Sequence, residues 1–171
     1  MAGGSLAFWP QKGLEILAAS FISADLLRQK SPLLNRVALR FFKPLMREKE
    51  RQRLSGASFF LLSATVARAF FPRSGREAIV ISAVADPLAG LAGGLKKSRG
   101  KSIIGSLSLF AGAWITARTL GLQKPALVAA LATLFERYGP FDDNLRLPLA
   151  LAFSLDVLHL TSDQQNGKKE G

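Results

Sequence analysis

The chain has no cysteine, one histidine, one tyrosine and two methionines, and 12 acidic residues against 23 lysines and arginines. Each scarcity removes something. Without cysteine there are no disulfides and no thiolate metal sites. With His159 as the sole histidine, a multi-histidine metal centre is excluded. Any metal would have to be held by oxygen.

What the chain has in quantity is apolar residues, 49% of its 171 positions. That length suits one domain. The apolar residues gather in six blocks, about Leu14–Leu27, Gly56–Phe71, Ala78–Leu95, Ser102–Leu122, Pro125–Phe135 and Leu147–Leu160. Most approach the roughly 20 residues that a helix needs to cross a bilayer. They are apolar all round rather than striped, as for helices facing lipid or fully buried. The expected fold is therefore all-α, a polytopic membrane bundle of about six transmembrane helices. The alternative is a soluble helical bundle. The expected organisation is a lead-in over 1–13, one helical domain over 14–160 and a disordered tail over 161–171. The first block lacks a basic start and a small-residue cleavage site, so it reads as a retained helix rather than a leader.

The excess of 11 positive charges is sorted along the chain. Nine cations lie in 28–53, four in 96–101 and two in 137–146, which are alternate connections of a six-span arrangement. The other connections and both ends hold six, and Arg68 and Arg118 sit near the less basic ends of their blocks. Alternation of this kind places the basic connections, and any site they form, in the cytoplasm. A nucleic-acid binder has no need of it, so no nucleic-acid partner is expected. Within 28–53, Leu39, Phe42 and Leu45/Met46 recur at helical spacing among cations, which predicts an amphipathic helix at the membrane interface.

The third block holds Asp86 next to Pro87. Proline removes the partner of the Ala83 carbonyl and biases Asp86 away from helical geometry, so a broken helix is expected. Ala89, Gly90, Gly93 and Gly94 then make a small-residue surface, and the spacing Gly90-x-x-x-Gly94 within it permits close helix contact or leaves room for a ligand.

Three groups of residues could carry chemistry. Asp86 is a carboxylate in an apolar segment, where an acid is costly and usually functional or paired. Lys96, Lys97, Arg99 and Lys101 can neutralise phosphate oxygens, and Ser102 opens a helix whose free amides favour an anion. Glu136, Asp142, Asp143 and Asn144 offer oxygen ligands of the kind Mg²⁺ accepts alongside substrate phosphates. Asp143 or Asn144 could equally cap the sixth block, with Pro148 in its first turn. Asp25, Asp156, Glu15 and His159 are assigned no role.

Several of these residues fall in short motifs. They are Asp86-x-x-Ala89-x-x-x-Gly93, Gly100-Lys101-Ser102-x-x-Gly105-Ser106, and Glu136 followed by Asp143-Asn144-x-x-x-Pro148. A fourth is Arg47-x-x-Glu50-x-x-x-Leu54-Ser55-Gly56. In that order they resemble the CTP-dependent lipid kinase family: dolichol, phytol and farnesol kinases, the yeast-type diacylglycerol kinase and bacterial relatives. The resemblance implies a membrane enzyme that moves the γ-phosphoryl of CTP to a lipid alcohol, diacylglycerol or a polyprenol, with Mg²⁺ or another divalent cation. It implies nucleotide-phosphate contacts for Lys101 and Ser102, and Lys96, Lys97, Arg99 and Gly105 complete the expected phosphate-binding set. It implies catalytic roles for Asp86, Glu136 and Asp143, and metal binding by those three with Asn144. Ile104 stands where the family usually has Glu, and the family's amino-terminal helices have no counterpart. The alternatives are an inactive relative acting as a scaffold or lipid-binding subunit, and a lipid cytidylyltransferase.

Overall fold

A computed structural model describes residues 9–42, 53–94, 102–139 and 141–167, and among them the chain is entirely helical. The helices are α1 (Gln11–Lys30), α2 (Pro32–Phe42), α3 (Gly56–Phe70), α4 (Ser74–Gly94), α5 (Ile103–Thr119), α6 (Pro125–Arg137) and α7 (Asp143–Gly167). All six apolar blocks form helices. The expected amphipathic helix appears in part as α2, and residues 43–52 lie outside the described residues.

Local chemistry sets the boundaries. Ser55 caps α3 by accepting the Ser58 amide at 3.3 Å, and Ser102 caps α5 by accepting the Gly105 amide at 3.0 Å. Pro125 occupies the first turn of α6, where its missing N–H costs nothing. At the end of α5, Gly121 takes φ +72°, the Leu122 amide donates to the Ala117 carbonyl, and the last carbonyls are satisfied.

The contacts define the topology. Gln11 and Leu14 of α1 meet Thr65 of α3, while Asp25 meets Ser55 and Ser58, so these helices run antiparallel. The turn 71–73 folds α4 back on α3, with Gly75 against the Ala67 backbone. The C-terminal turns of α4 lie on the first turns of α5 through Ala89, Gly93 and Gly105. Arg137, ending α6, donates to Ser106 near the start of α5. Arg146, starting α7, donates to the Phe135 and Glu136 carbonyls at the end of α6. One end of the bundle, here the lower end, thus carries the C-termini of α1, α4 and α6 and the N-termini of α3, α5 and α7.

The interior is built from small residues. Eleven of the twenty buried apolar side chains are alanine, with Leu109, Val128, Leu147, Leu151 and Leu155 filling between them. Large apolar side chains stand exposed on all seven helices, among them Ile16, Leu33, Phe70, Leu91, Leu107 and Phe153.

Four expectations change. Only α4 is long and apolar enough to cross a membrane by length and composition, among the described residues. α3, α5 and α6 have 15, 17 and 13 residues, and α1 and α7 are interrupted by Asp25, Arg28 and Asp156, so six full spans are not established. α4 is continuous through Pro87. The proline is exposed, and Ala85, Ala89 and Gly93 on its flanks are held by α5, so packing maintains the helix across the missing hydrogen bond. Within the expected small-residue surface the close helix contact is made by Ala89 and Gly93 and not by the Gly90-x-x-x-Gly94 pair; a Cβ on Gly90 or Gly94 would meet nothing within 4 Å. Finally, over 161–167 of the expected disordered tail α7 runs on to Gly167, because its anchored earlier turns spare the polar end the cost of nucleation; residues 168–171 lie outside the described residues.

Candidate functional site at the lower end

The expected site residues come from four helices, and topology brings the described ones to the lower half of the bundle. Ser74 Oγ donates to Asp156 Oδ1 at 3.0 Å and fixes the register of α4 against the antiparallel α7. Asp86 lies twelve residues beyond Ser74, and Asn144 twelve residues before Asp156. At 1.5 Å per residue each stands about 18 Å below that contact. Ser102 and Gly105 are held against Gly93, and Glu136 ends α6 beside Arg146. Lys96, Lys97, Arg99 and Lys101 lie outside the described residues, in the segment joining α4 to α5.

At side-chain level the residues separate. Asp86 is half-buried, and Glu136 is buried. Asp142, rather than Asp143 or Asn144, caps α7. Its carbonyl accepts the Leu145 and Arg146 amides, and its Oδ1 accepts the amide and Nδ2 of Asn144 at 3.2 Å. Asp143 Oδ1 also faces the Asn144 amide, at 3.2 Å. This end of α7 is tied together by its own hydrogen bonds.

Ser102 and Gly105 have packing duties. The Ser102 hydroxyl caps α5 and would lie 3.2 Å from a Cβ on either Gly93 or Gly105. Gly105 is buried, with the Ala89 carbonyl 3.1 Å from where its Cβ would stand. Both residues therefore hold α4 and α5 in close contact. Ile104 projects outward and is exposed.

The donor set tests the implied metal. Among the described residues, no three carboxylate or histidine side chains group closely enough to hold a metal ion. Asp86, Glu136, Asp143 and Asn144 therefore do not form a preformed metal cage, and no chemical step is routed through a resident metal.

Sequence reasoning passed over the most developed polar cluster. Asp25 accepts Arg28 Nε at 2.6 Å, the Ser55 amide and Oγ at 2.7 Å each, and Ser58 Oγ at 2.6 Å. Arg28 Nη2 donates to the Arg53 carbonyl at 2.7 Å, and Nη1 reaches Asn35 of α2 at 3.4 Å. Asp25 and Arg28 are both buried. The available signal was an acid near the end of an apolar block and a base three residues later, just past it. Arg146 was also misjudged. Counted as a loop cation, it donates to the Phe135, Glu136 and Phe141 carbonyls and closes the α6–α7 turn.

A cleft lined by Leu122, Lys124, Val128, Leu155 and His159 opens at the opposite end, with the Glu77–His159 pair at 2.7 Å nearby. It is remote from the expected site residues. No protein family, curated protein or solved structure matches this chain.

Proposed function

We propose that the protein is a membrane-embedded helical bundle that transfers the γ-phosphoryl of CTP to a lipid hydroxyl at its lower end, on the cytoplasmic side. The observation carrying this reading is the gathering of Asp86, Ser102, Glu136, Asp143 and Asn144 from four helices toward the end where 96–101 joins α4 to α5. The membrane part is supported by the inside-out distribution of side chains. Close packing through small residues, with large apolar groups outside, is the pattern of helices that meet in lipid. A water-soluble monomer rarely exposes apolar surface on such a scale.

In the proposed reaction the lipid oxygen bonds to the γ-phosphorus as the bond to the β,γ-bridging oxygen breaks. CDP departs with that oxygen, and Asp86 takes the hydroxyl proton. Lys96, Lys97, Arg99 and Lys101 neutralise the triphosphate; phosphoryl transfer depends chiefly on such positioning and charge compensation. A divalent cation such as Mg²⁺, arriving with CTP, would supply further neutralisation when bound.

A second reading, a lipid-binding scaffold without turnover, is favoured by the packing roles of Ser102 and Gly105. The test is purified protein with γ-labelled CTP or ATP and diacylglycerol, undecaprenol, dolichol or phytol. Label should enter a lipid from CTP, and Asp86→Asn or Lys101→Ala should abolish transfer while leaving the helical content unchanged. Folded protein that labels none of the lipids favours the scaffold. A CDP-lipid with released pyrophosphate would instead identify a cytidylyltransferase.

A further inference from the structure

We propose that the bundle's apolar belt is matched to a hydrocarbon layer thinner than that of an ordinary bilayer, so that the protein selects or creates thin membrane. The inference rests on the membrane-embedded reading and adds a property of the partner. On α1, the interval between exposed Glu15 and exposed Lys30 is 15 residues; the charges between them, Asp25 and Arg28, are turned inward onto each other. On α3, 13 residues separate the cap Ser55 from Arg68. On α5, 16 residues separate Ser102 from Arg118, and around α6, 13 separate Lys124 from Arg137. At 1.5 Å per residue these intervals span about 20–24 Å. α4 is the exception: its 21 residues, Ser74–Gly94, reach about 32 Å, and a helix that long meets a thinner layer by tilting. The hydrocarbon core of a typical bilayer is about 30 Å.

The ends of the belt carry matching markers. Near the upper end Arg118 lies over the exposed Trp114 ring, 5.8 Å from its centroid. At the lower end Arg137 lies over the exposed Tyr138 ring at 6.0 Å. Tryptophan and tyrosine sit at headgroup level, where an amphipathic ring meets both water and chain. Tilting cannot correct the mismatch of the shorter helices, because it shortens a helix along the membrane normal. Snorkelling of the flanking cations takes up part of the difference and thinning of the lipid the rest, at a cost that rises with each ångström.

The experiment reconstitutes the full chain into dimyristoleoyl, dioleoyl and dierucoyl phosphatidylcholine vesicles and measures the fraction resisting alkaline extraction after flotation. Insertion should be at least about fivefold greater in the shortest lipid than in the longest, since mismatch costs a fraction of a kcal/mol per ångström. Arg118→Leu, which lengthens the apolar run of α5 by replacing an exposed cation, should move the optimum toward dioleoyl vesicles. Equal insertion at all three thicknesses, or a preference for the longest lipid, would overturn the inference and leave the membrane reading standing. Folded protein that enters none of them would remove the membrane reading, and the inference with it.

Discussion

Two serines and an ion pair show how single side chains hold this fold. Pro148 has no N–H, so the Asn144 carbonyl one turn earlier lacks its helical donor. Ser63, buried on α3, shares its one hydroxyl proton between the Phe60 carbonyl at 2.8 Å and that carbonyl at 3.0 Å. Ser63→Ala should leave the carbonyl unsatisfied and cost about 1–3 kcal/mol, read from thermal unfolding in detergent. Asp25→Ala should be more severe. It removes the carboxylate to which buried Arg28 and the Ser55 and Ser58 hydroxyls donate, a loss of about 3–5 kcal/mol. Unfolding unchanged in Asp25→Ala would show that the cluster is incidental to stability. Ser102→Ala should cost about 1 kcal/mol through loss of the cap. None of these partnerships could be read in one dimension. Asp25 and Ser58 are 33 residues apart, and Asn144 and Ser63 are 81 apart. The Asp25–Arg28 spacing was visible, but its burial depended on α3 arriving beside it.

At the scale of elements, much more was legible. Every apolar block became a helix because capping serines, Pro125 and Gly121 punctuate the runs at the right places. The interruption at Pro87 was misread, since local propensity favours a break and the packing of α4 on α5 overrides it. Only one edge of the small-residue surface is used, through Ala89 and Gly93, for a related reason: spacing identifies the ridge, whereas the facing helix decides which edge makes the contact. Gly112 marks the tightest part of that contact. A Cβ there would stand 2.9 Å from Leu88 Cδ1 and 3.3 Å from Ala85 Cα. At Gly75 it would fall 2.5 Å from the Ala67 carbonyl oxygen. Gly75→Ala should therefore cost more than Gly112→Ala, because backbone cannot rotate away as a leucine side chain can. Both should fall near the roughly 1–3 kcal/mol of overpacking, measured by the same unfolding experiment. The reverse order would mean that the turn after α3 yields more readily than the α4–α5 contact.

For the whole molecule, the sorting of charge along the chain anticipated the sorting of helix ends in space. Alternate connections must emerge at the same end of an antiparallel bundle, so loop parity was legible. The candidate site was legible only to that level. Sequence indicated which residues share an end, but Gly105, Asp142 and Arg146 each have local structural work that their residue types did not reveal. The proposed chemistry and the thin-membrane inference both require the bundle to lie across a bilayer with its two ends on opposite sides. The cysteine-free chain makes this directly measurable. Single Gln123→Cys and Tyr138→Cys variants, both at exposed positions, can be treated with a membrane-impermeant maleimide before and after cells are opened. The account predicts that Gln123→Cys is labelled on intact cells and Tyr138→Cys only after opening. Labelling of both positions from the same side would contradict it.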